Sequence, residues 1–538
     1  MSEGAEFPTR WLNVEASAGL AAATIDPKKI NQHIAGLPDG KRVMTAVEVA
    51  KLLQDPFATL VLRRGIFPKH LGEILIAFNA HNGKPKGLPE TSSFLIAEGG
   101  QIPFKAGVDK GSSRLITVRS TAAGSPEVMI STLLGAGVDP RSEQVINEVQ
   151  AWDPVNRTMH FYQRQSGAWF WCGQSDMALV TPTRGEGAFD SHVNGYPLMK
   201  ELQTPWVHWH GPGLAISETA YAANDPLPTD PLFVNRDHAL NFERIVIRPL
   251  MERWNTARFE KHVKQGTLTR VRSFVAQLLE PTNANLISTH TQWSDVAANR
   301  EVLDDLPPSF FFDIEGLVTT AELTVSVPPL VMTGERYAAL VDKYDLRVRG
   351  GSVDFAGDVP FAFTVPERAE EDQLAARILV ERGVISPRLA ACLLMIDFPN
   401  PVGSKRRAAL LAFFPDTVRL AAKPPLDKAF VDAVTAATPS TPSTSPEREF
   451  LANWKLGPDD WKSAFEARLT AYLAALAKRL NTNAGCDAVF RLAESRRREF
   501  RNRPIAEFDL SLPRAVKIPA TAKRLAMNER AQVVASTS

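Results

Sequence analysis

Between Ser113 and Gln174 the chain repeats one pattern: short runs rich in β-branched and aromatic residues, RLITVRS, EVMISTLL, VINEVQAWD, TMHFYQRQ and AWFWCGQ. The turn formers AAGSP, DPVN and SG stand between them, so the runs read as strands. The last three are close enough to form consecutive hairpins, which predicts an antiparallel meander.

Helical spacing lies on both sides of this region. TAVEVAKLLQDP and HLGEILIAFNAHNGKPKG precede it as short helices ended by Pro or Gly. After Asp230, NFERIVIRPLMERWNTARFEKHVKQG and TRVRSFVAQLLEP carry apolar residues at helical steps. A second β-rich stretch follows in ELTVSVPPLVM, DLRVRGGSVDFAG and VPFAFTVP. Helix returns in AEEDQLAARILVERG, stopped by Gly383, and in KRRAALLAFFP, closed by Pro415. TPSTPSTSP (Thr438–Pro446) has the composition of a solvated linker or long loop. GPDDWKSAFEARLTAYLAALAKRLN then predicts a helix capped by Asp459, with Phe465, Leu469, Tyr472, Leu476 and Leu480 along one face.

These segments predict an α+β protein: a central antiparallel β-rich region flanked by helical segments, with a helical C-terminal part. The expected divisions are a mixed segment over 1–110 and a β-rich region over 111–365 with a helical insertion near 235–282. A mainly helical region over 366–538 follows, with the Pro/Ser/Thr linker at 438–446. A length of 538 residues agrees with two or three domains.

Charge excludes some partners. Lys plus Arg number 61 against 60 for Asp plus Glu, so no global field draws the chain to nucleic acid or anionic lipid. No uncharged apolar run reaches the ~20 residues of a membrane span. The start, MSEGAEFPTRW, lacks the cationic and apolar regions of a secretory signal. Cys172, Cys392 and Cys486 stand far apart in no paired spacing. The expectation is a cytoplasmic chain with free thiols and no four-thiolate zinc site.

Several catalytic signatures are absent. GVDKGSS lacks the spacing of a phosphate-binding loop, and GPGLAI has Ile216 where a dinucleotide fingerprint needs its last glycine. GQSDM has Met177 in place of the final glycine of a nucleophile elbow. No His-Glu-x-x-His occurs.

What remains is a concentration of two residue types. Of ten tryptophans, Trp152, Trp169, Trp171, Trp206 and Trp209 fall between 152 and 210. Of ten histidines, His160, His192, His208 and His210 do. Aromatics with a few polar anchors are the lining of a ligand pocket. Within PWVHWHGPG (Pro205–Gly213) a strand would point His208 and His210 to one side, with Trp206 beside them and Trp209 opposite. Two such imidazoles grip a transition metal such as Fe, Zn, Cu or Mn, with Asp190, Glu218 or His192 completing the set. The bland alternative is a pair of hydrogen-bonded histidines beside a Gly-Pro-Gly turn. AFDSH (Ala188–His192) has the frame of a haem-attachment site without its thiols, so a non-covalent haem held by His192, or by either strand histidine, is a further alternative.

RLAESRRREFRNRP (Arg491–Pro504) packs six arginines into fourteen residues. Glu494 and Glu499 dilute it, and a solvated face or an intramolecular clamp is favoured over phosphate binding. The functional expectation is a transition-metal-dependent oxidoreductase or oxygenase acting on a small molecule. Its rival is a non-enzymatic binding or assembly protein that meets a protein partner through an aromatic-rich surface.

Overall fold

The structure, a computed structural model, describes residues 25–38, 40–81, 91–97, 113–134, 147–189, 192–197, 224–280, 284–287, 303–350, 353–357, 365–421, 424–501 and 513–536. The fold is α+β, as the alternation of strand and helix patterns predicts. It divides into two compact units. The first is Met1–Arg258 with Gly350–Val353 and Pro504–Ser511; the second is Phe259–Arg349, Asp354–Arg503 and Leu512–Ser538.

The first unit is built on a nine-stranded sheet. Its strands are β1 (Asn31–His33), β2 (Lys41–Val43), β3 (Thr91–Ala97), β4 (Ser113–Ser120), β5 (Pro126–Leu134), β6 (Asn147–Asp153), β7 (Thr158–Gln165), β8 (Ala168–Gln174) and β9 (Asp237–His238). They lie in the order β2-β1-β8-β7-β6-β5-β4-β3-β9. β4 to β8 form the expected antiparallel meander, and β3, not expected as a strand from the sequence, extends it by pairing antiparallel with β4. β1 joins β8 in parallel and β9 joins β3 in parallel at the far side.

The turns follow from their residues. Ser166 and Gly167 both take positive φ, 48° and 79°, the two-residue hairpin geometry that matches strand twist. At the preceding turn Asp153 Oδ1 accepts the backbone N–H groups of Val155 (2.9 Å) and Asn156 (2.8 Å). A bulge between Phe161 and Tyr162 shifts the β7–β8 register, and Gly173 there sits at φ 121°. A Cβ on Gly173 would come 2.8 Å from the Phe189 ring, so only glycine fits.

Central strands are buried on both faces, which is why AWFWCGQ reads as a continuous apolar run. On one face Phe57, from α2 (Pro56–Leu60), meets Tyr162 at 5.3 Å and Trp169 at 5.0 Å between ring centres. Its neighbours include Phe78 of α3 (Leu71–His81). On the other face Phe161 meets Phe189 at 5.5 Å, and Phe94 meets Phe242 at 4.9 Å. The helical run after Asp230 contains a π-turn, Glu243–Ile247, before the helix α4 (Arg248–Lys261), here numbered after α1 (Ala46–Leu52), α2 and α3.

The second unit is mainly helical. It contains α5 (Val271–Leu279), α6 (Gly334–Tyr344), α7 (Glu370–Glu381), α8 (Pro387–Leu394), α9 (Lys405–Ala409), α10 (Pro425–Ala437), α11 (Pro446–Trp454), α12 (Trp461–Leu480) and α13 (Asn483–Arg501). The predicted stripe of α12 is fully inside: Phe465, Leu469, Tyr472, Leu476 and Leu480 are all buried. Phe398 packs edge-on against Tyr472 at 5.1 Å, and Phe414 stacks on Phe430 at 4.1 Å.

Some local expectations are corrected. The N-cap of α12 is Asp460, without a side-chain capping bond, where Asp459 was expected. Of ELTVSVPPLVM only the last two residues are strand, in Val331–Thr333. Pro328 and Pro329 lack the N–H groups a ladder needs, although residues 321–324 keep the buried/exposed alternation of a strand. The Thr438–Pro446 run is a hydrogen-bonded turn between α10 and α11, exposed for much of its length. Arg448 donates from Nε to the Thr441 carbonyl and from Nη2 to the Thr438 carbonyl, each at 3.0 Å.

Candidate functional site

A sheet alternates its side chains, so Phe161 and Tyr162 point to opposite faces. That divides the tryptophans and histidines of the sequence cluster. His160, Trp169 and Trp171 lie on the Tyr162 face; Trp152 and His192 lie on the Phe161 face with Gln150. Asp190, Trp206, His208, Trp209, His210 and Glu218 lie outside the described residues. Among the described residues no group of three or more His, Cys, Asp and Glu side chains is arranged to hold a metal.

The Tyr162 face carries a closed polar network. Trp171 Nε1 donates to His160 Nδ1 at 3.0 Å, which leaves His160 Nε2 to donate to Asp153 Oδ2 at 3.1 Å. Asp153 also accepts from the Gln54 backbone (3.1 Å) and the Asn156 amide (2.7 Å). Next to it, Tyr162 donates its hydroxyl to Asp55 at 2.5 Å, and Asp55 caps α2 by accepting from the Ala58 N–H at 3.0 Å. Asp153 and His160 are wholly buried with their polar atoms paired, so this network fastens α2 to the sheet and offers nothing to a substrate.

Its acid response can be signed. Burial pushes the Asp153 carboxyl up, but the bonds from His160 and Asn156 outweigh it and hold the group at about 2, below its ordinary 3.8. A carboxyl lowered on folding contributes stability above its unfolded value and loses it as pH falls toward the folded one. Burial raises Asp55 and gives it the opposite sign. Urea midpoints of the first unit should therefore lose about 2 kcal/mol of Asp153-dependent stability between pH 4 and pH 2. In Asp153→Asn that acid-sensitive share should disappear; an unchanged slope would show that Asp153 does not carry it.

The Phe161 face is different in kind. β6 places Glu148 and Gln150 there, β7 places Gln163 and Gln165, and β4 and β5 add Arg114 and Ser131. Arg114 donates to Glu148 at 2.6 Å and to Ser131 at 3.2 Å, and Gln163 donates to Glu148 at 3.1 Å. The row is half-buried, with side-chain exposure of 15% for Arg114 and 27% for Glu148. At its end stands His192, 8% exposed, its ring 5.2 Å from Phe161 and its Nε2 2.8 Å from Gln150 Nε2.

The His192 loop is fixed from several directions. Trp254 Nε1 donates to the Asn194 carbonyl at 3.1 Å, and Tyr196 donates to Asn255 Oδ1 at 3.1 Å. Gly195, at φ 72°, lets the loop press on Ser175, whose carbonyl oxygen would lie 2.4 Å from an added Cβ. Gln150 Oε1 is buried and has no hydrogen-bond partner among the described residues. Turning the amide over would exchange an unpaired acceptor for an unpaired donor. Either way the row ends in an unfilled hydrogen-bonding position beside an imidazole.

Gln150, Glu148, Gln163 and Arg114 were not singled out from sequence. Part of their signal was available: NEVQ and YQRQ place Glu148 and Gln150, and Gln163 and Gln165, two residues apart along strands. Of the haem-like frame, Phe189 is buried in a short 3₁₀ turn and His192 Nε2 lies 2.8 Å from Gln150 Nε2, while Asp190 and Ser191 lie outside the described residues. Cys172 is buried, and burial with Glu148 nearby pushes its thiol up to about 12, far from a reactive thiolate. Cys392 and Cys486 are likewise buried and free.

Compared with family models, with curated proteins and with solved structures, the chain matches none. Among the described residues no helix is long and apolar enough to cross a membrane.

Proposed function

We propose that the first unit binds a small, polar, uncharged molecule on the Phe161 face of its sheet. The observation that carries this reading is the unpaired amide atom of Gln150 beside His192, at the end of a half-buried polar row. A buried polar atom left without a partner costs about 1–3 kcal/mol, which a ligand hydrogen bond would recover. The charges of Arg114 and Glu148 already neutralise each other. The row therefore favours hydroxyl- or amide-bearing ligands over anions. Thermal unfolding against polyols, sugars and primary amides tests it. At least one class should raise the midpoint of the parent, and Gln150→Leu should abolish that rise while keeping the unliganded midpoint. No response to any class would count against the site.

A second reading rests on the His-x-His spacing of His208 and His210. There the bound molecule is the substrate of a transition-metal-dependent oxidoreductase or oxygenase, with Asp190 or Glu218 completing the metal's ligands. The engagement of His192 Nε2 by Gln150 weighs against His192 as a metal or haem ligand. A cytoplasmic location accords with three free, separated thiols. The reading includes no nucleic-acid partner, which the burial of Arg496 and Arg497 supports.

A further inference from the structure

The basic helix singled out in the sequence is α13, and the chain's own residues 513–536 lie along it. This segment contains β11 (Arg514–Ala515), β12 (Leu525–Met527) and β13 (Val533–Ala535), and it pairs with β10 (Leu346–Gly350). We propose that α13, the turn from Asp397 to Ser404 and the edge of β10 form a peptide-recognition groove. Residues 513–536 are its ligand in cis.

The mode of contact supports this. Ala515 and Arg514 add a strand antiparallel to Leu346 and Arg347, and the ladder continues as Val516 N–H to Asp345 O and Lys517 N–H to Tyr344 O, each 3.0 Å. Farther along, side chains of the body read the segment's backbone. Arg498 Nη1 donates to the carbonyls of Pro519 (2.8 Å), Ala520 (3.1 Å) and Ala522 (3.1 Å). Ser495 Oγ accepts the Leu525 N–H at 2.9 Å. The Asn400 side chain pairs with Met527 in both directions, accepting its N–H at 3.0 Å and donating to its carbonyl at 2.9 Å.

Apolar side chains add to the backbone contacts, with Ile518, Leu525 and Val533 partly buried against the core. Ala515, Met527 and Ala531 are buried. Two ion pairs, Arg524–Glu499 at 3.5 Å and Arg468–Glu529 at 2.8 Å, lie at the rim. Strand addition, backbone-reading side chains and a small set of apolar pockets are how a surface binds an extended peptide. The partner that fits is an extended segment with a small residue in the Ala515 position and an unbranched apolar anchor in the Met527 position.

The test keeps the full chain. A protease recognition sequence is placed between residues 503 and 512, the folded protein is cut there, and size-exclusion chromatography is run under native conditions. The fragment carrying 513–536 should co-elute with the body, and a labelled synthetic 513–536 peptide should replace it in a saturable way. Arg498→Ala should speed that exchange about tenfold, the effect of losing one charge-assisted cluster of hydrogen bonds. A scrambled peptide should not exchange. The proposal is overturned if the fragment separates from a folded body, if the body unfolds on cutting as read by circular dichroism, or if no exchange occurs. Exchange at the parent rate in Arg498→Ala overturns it too.

Discussion

Replacing Arg407 by Ala is expected to cost the second unit about 4 kcal/mol or more, enough to unfold much of it at ordinary temperature. Arg407 is wholly buried in α9, and among the described residues its hydrogen-bond partners are backbone carbonyls. Nε donates to Leu279 O (2.9 Å), Nη1 to Ile396 O (3.1 Å), and Nη2 to Asn400 O (3.1 Å) and Pro401 O (2.8 Å). These carbonyls end α5 and shape the turn after α8, so the guanidinium holds two segments that carry no ladder of their own. Burial, with Arg368 nearby, pushes its pKa down to about 10, and the group stays charged at neutral pH. Removing it strands several buried acceptors at once, each worth about 1–3 kcal/mol. Arg407→Lys cannot span the same carbonyls and should recover only part of the loss. Hydrogen exchange read on peptides of α8 and α12 measures the effect on this unit alone. Protection in Arg407→Ala equal to the parent's would refute the hub.

The second large effect concerns His208 and His210. Under the metal reading, the protein from its own host should carry about one transition-metal ion per chain by elemental analysis. Replacing both histidines by Ala should bring the metal content to background, because losing two ligands ends chelation. Hydrogen exchange across β4 to β8 should not change. Trp206→Phe should keep the metal, since a wall residue donates no ligand. Metal-free parent protein would end the redox reading and leave the binding reading alone.

The strands of the meander were legible because β-branched runs and turn formers alternate from Ser113 to Gln174, and the hairpin at Ser166–Gly167 follows from two residues. The stripe of α12 was equally plain, its apolar residues recurring at three- and four-residue steps. What was not legible was pairing at a distance. The tryptophans and histidines crowd together in sequence, yet strand alternation puts His160 on the Tyr162 face while the loop after β8 lays His192 on the Phe161 face. The arginines of α13 were ambiguous because composition does not say which guanidinium finds carbonyls. Arg496 is buried on Pro399 O (3.0 Å) and stacked on Phe310, while Arg491 stays at the surface paired to Asp487. The polar row of the sheet was visible as residues two apart, but its meaning depends on register across four strands.

Whether the Phe161 face holds a small polar molecule against Gln150 and His192 can be read by native mass spectrometry of the full chain purified from its own host. The parent should show a population heavier than the polypeptide and any metal ion by the mass of one small molecule. Gln150→Leu should lose that mass while its circular dichroism matches the parent's. A parent that flies only at the mass of the chain, or a Gln150→Leu protein that keeps the added mass, would contradict it.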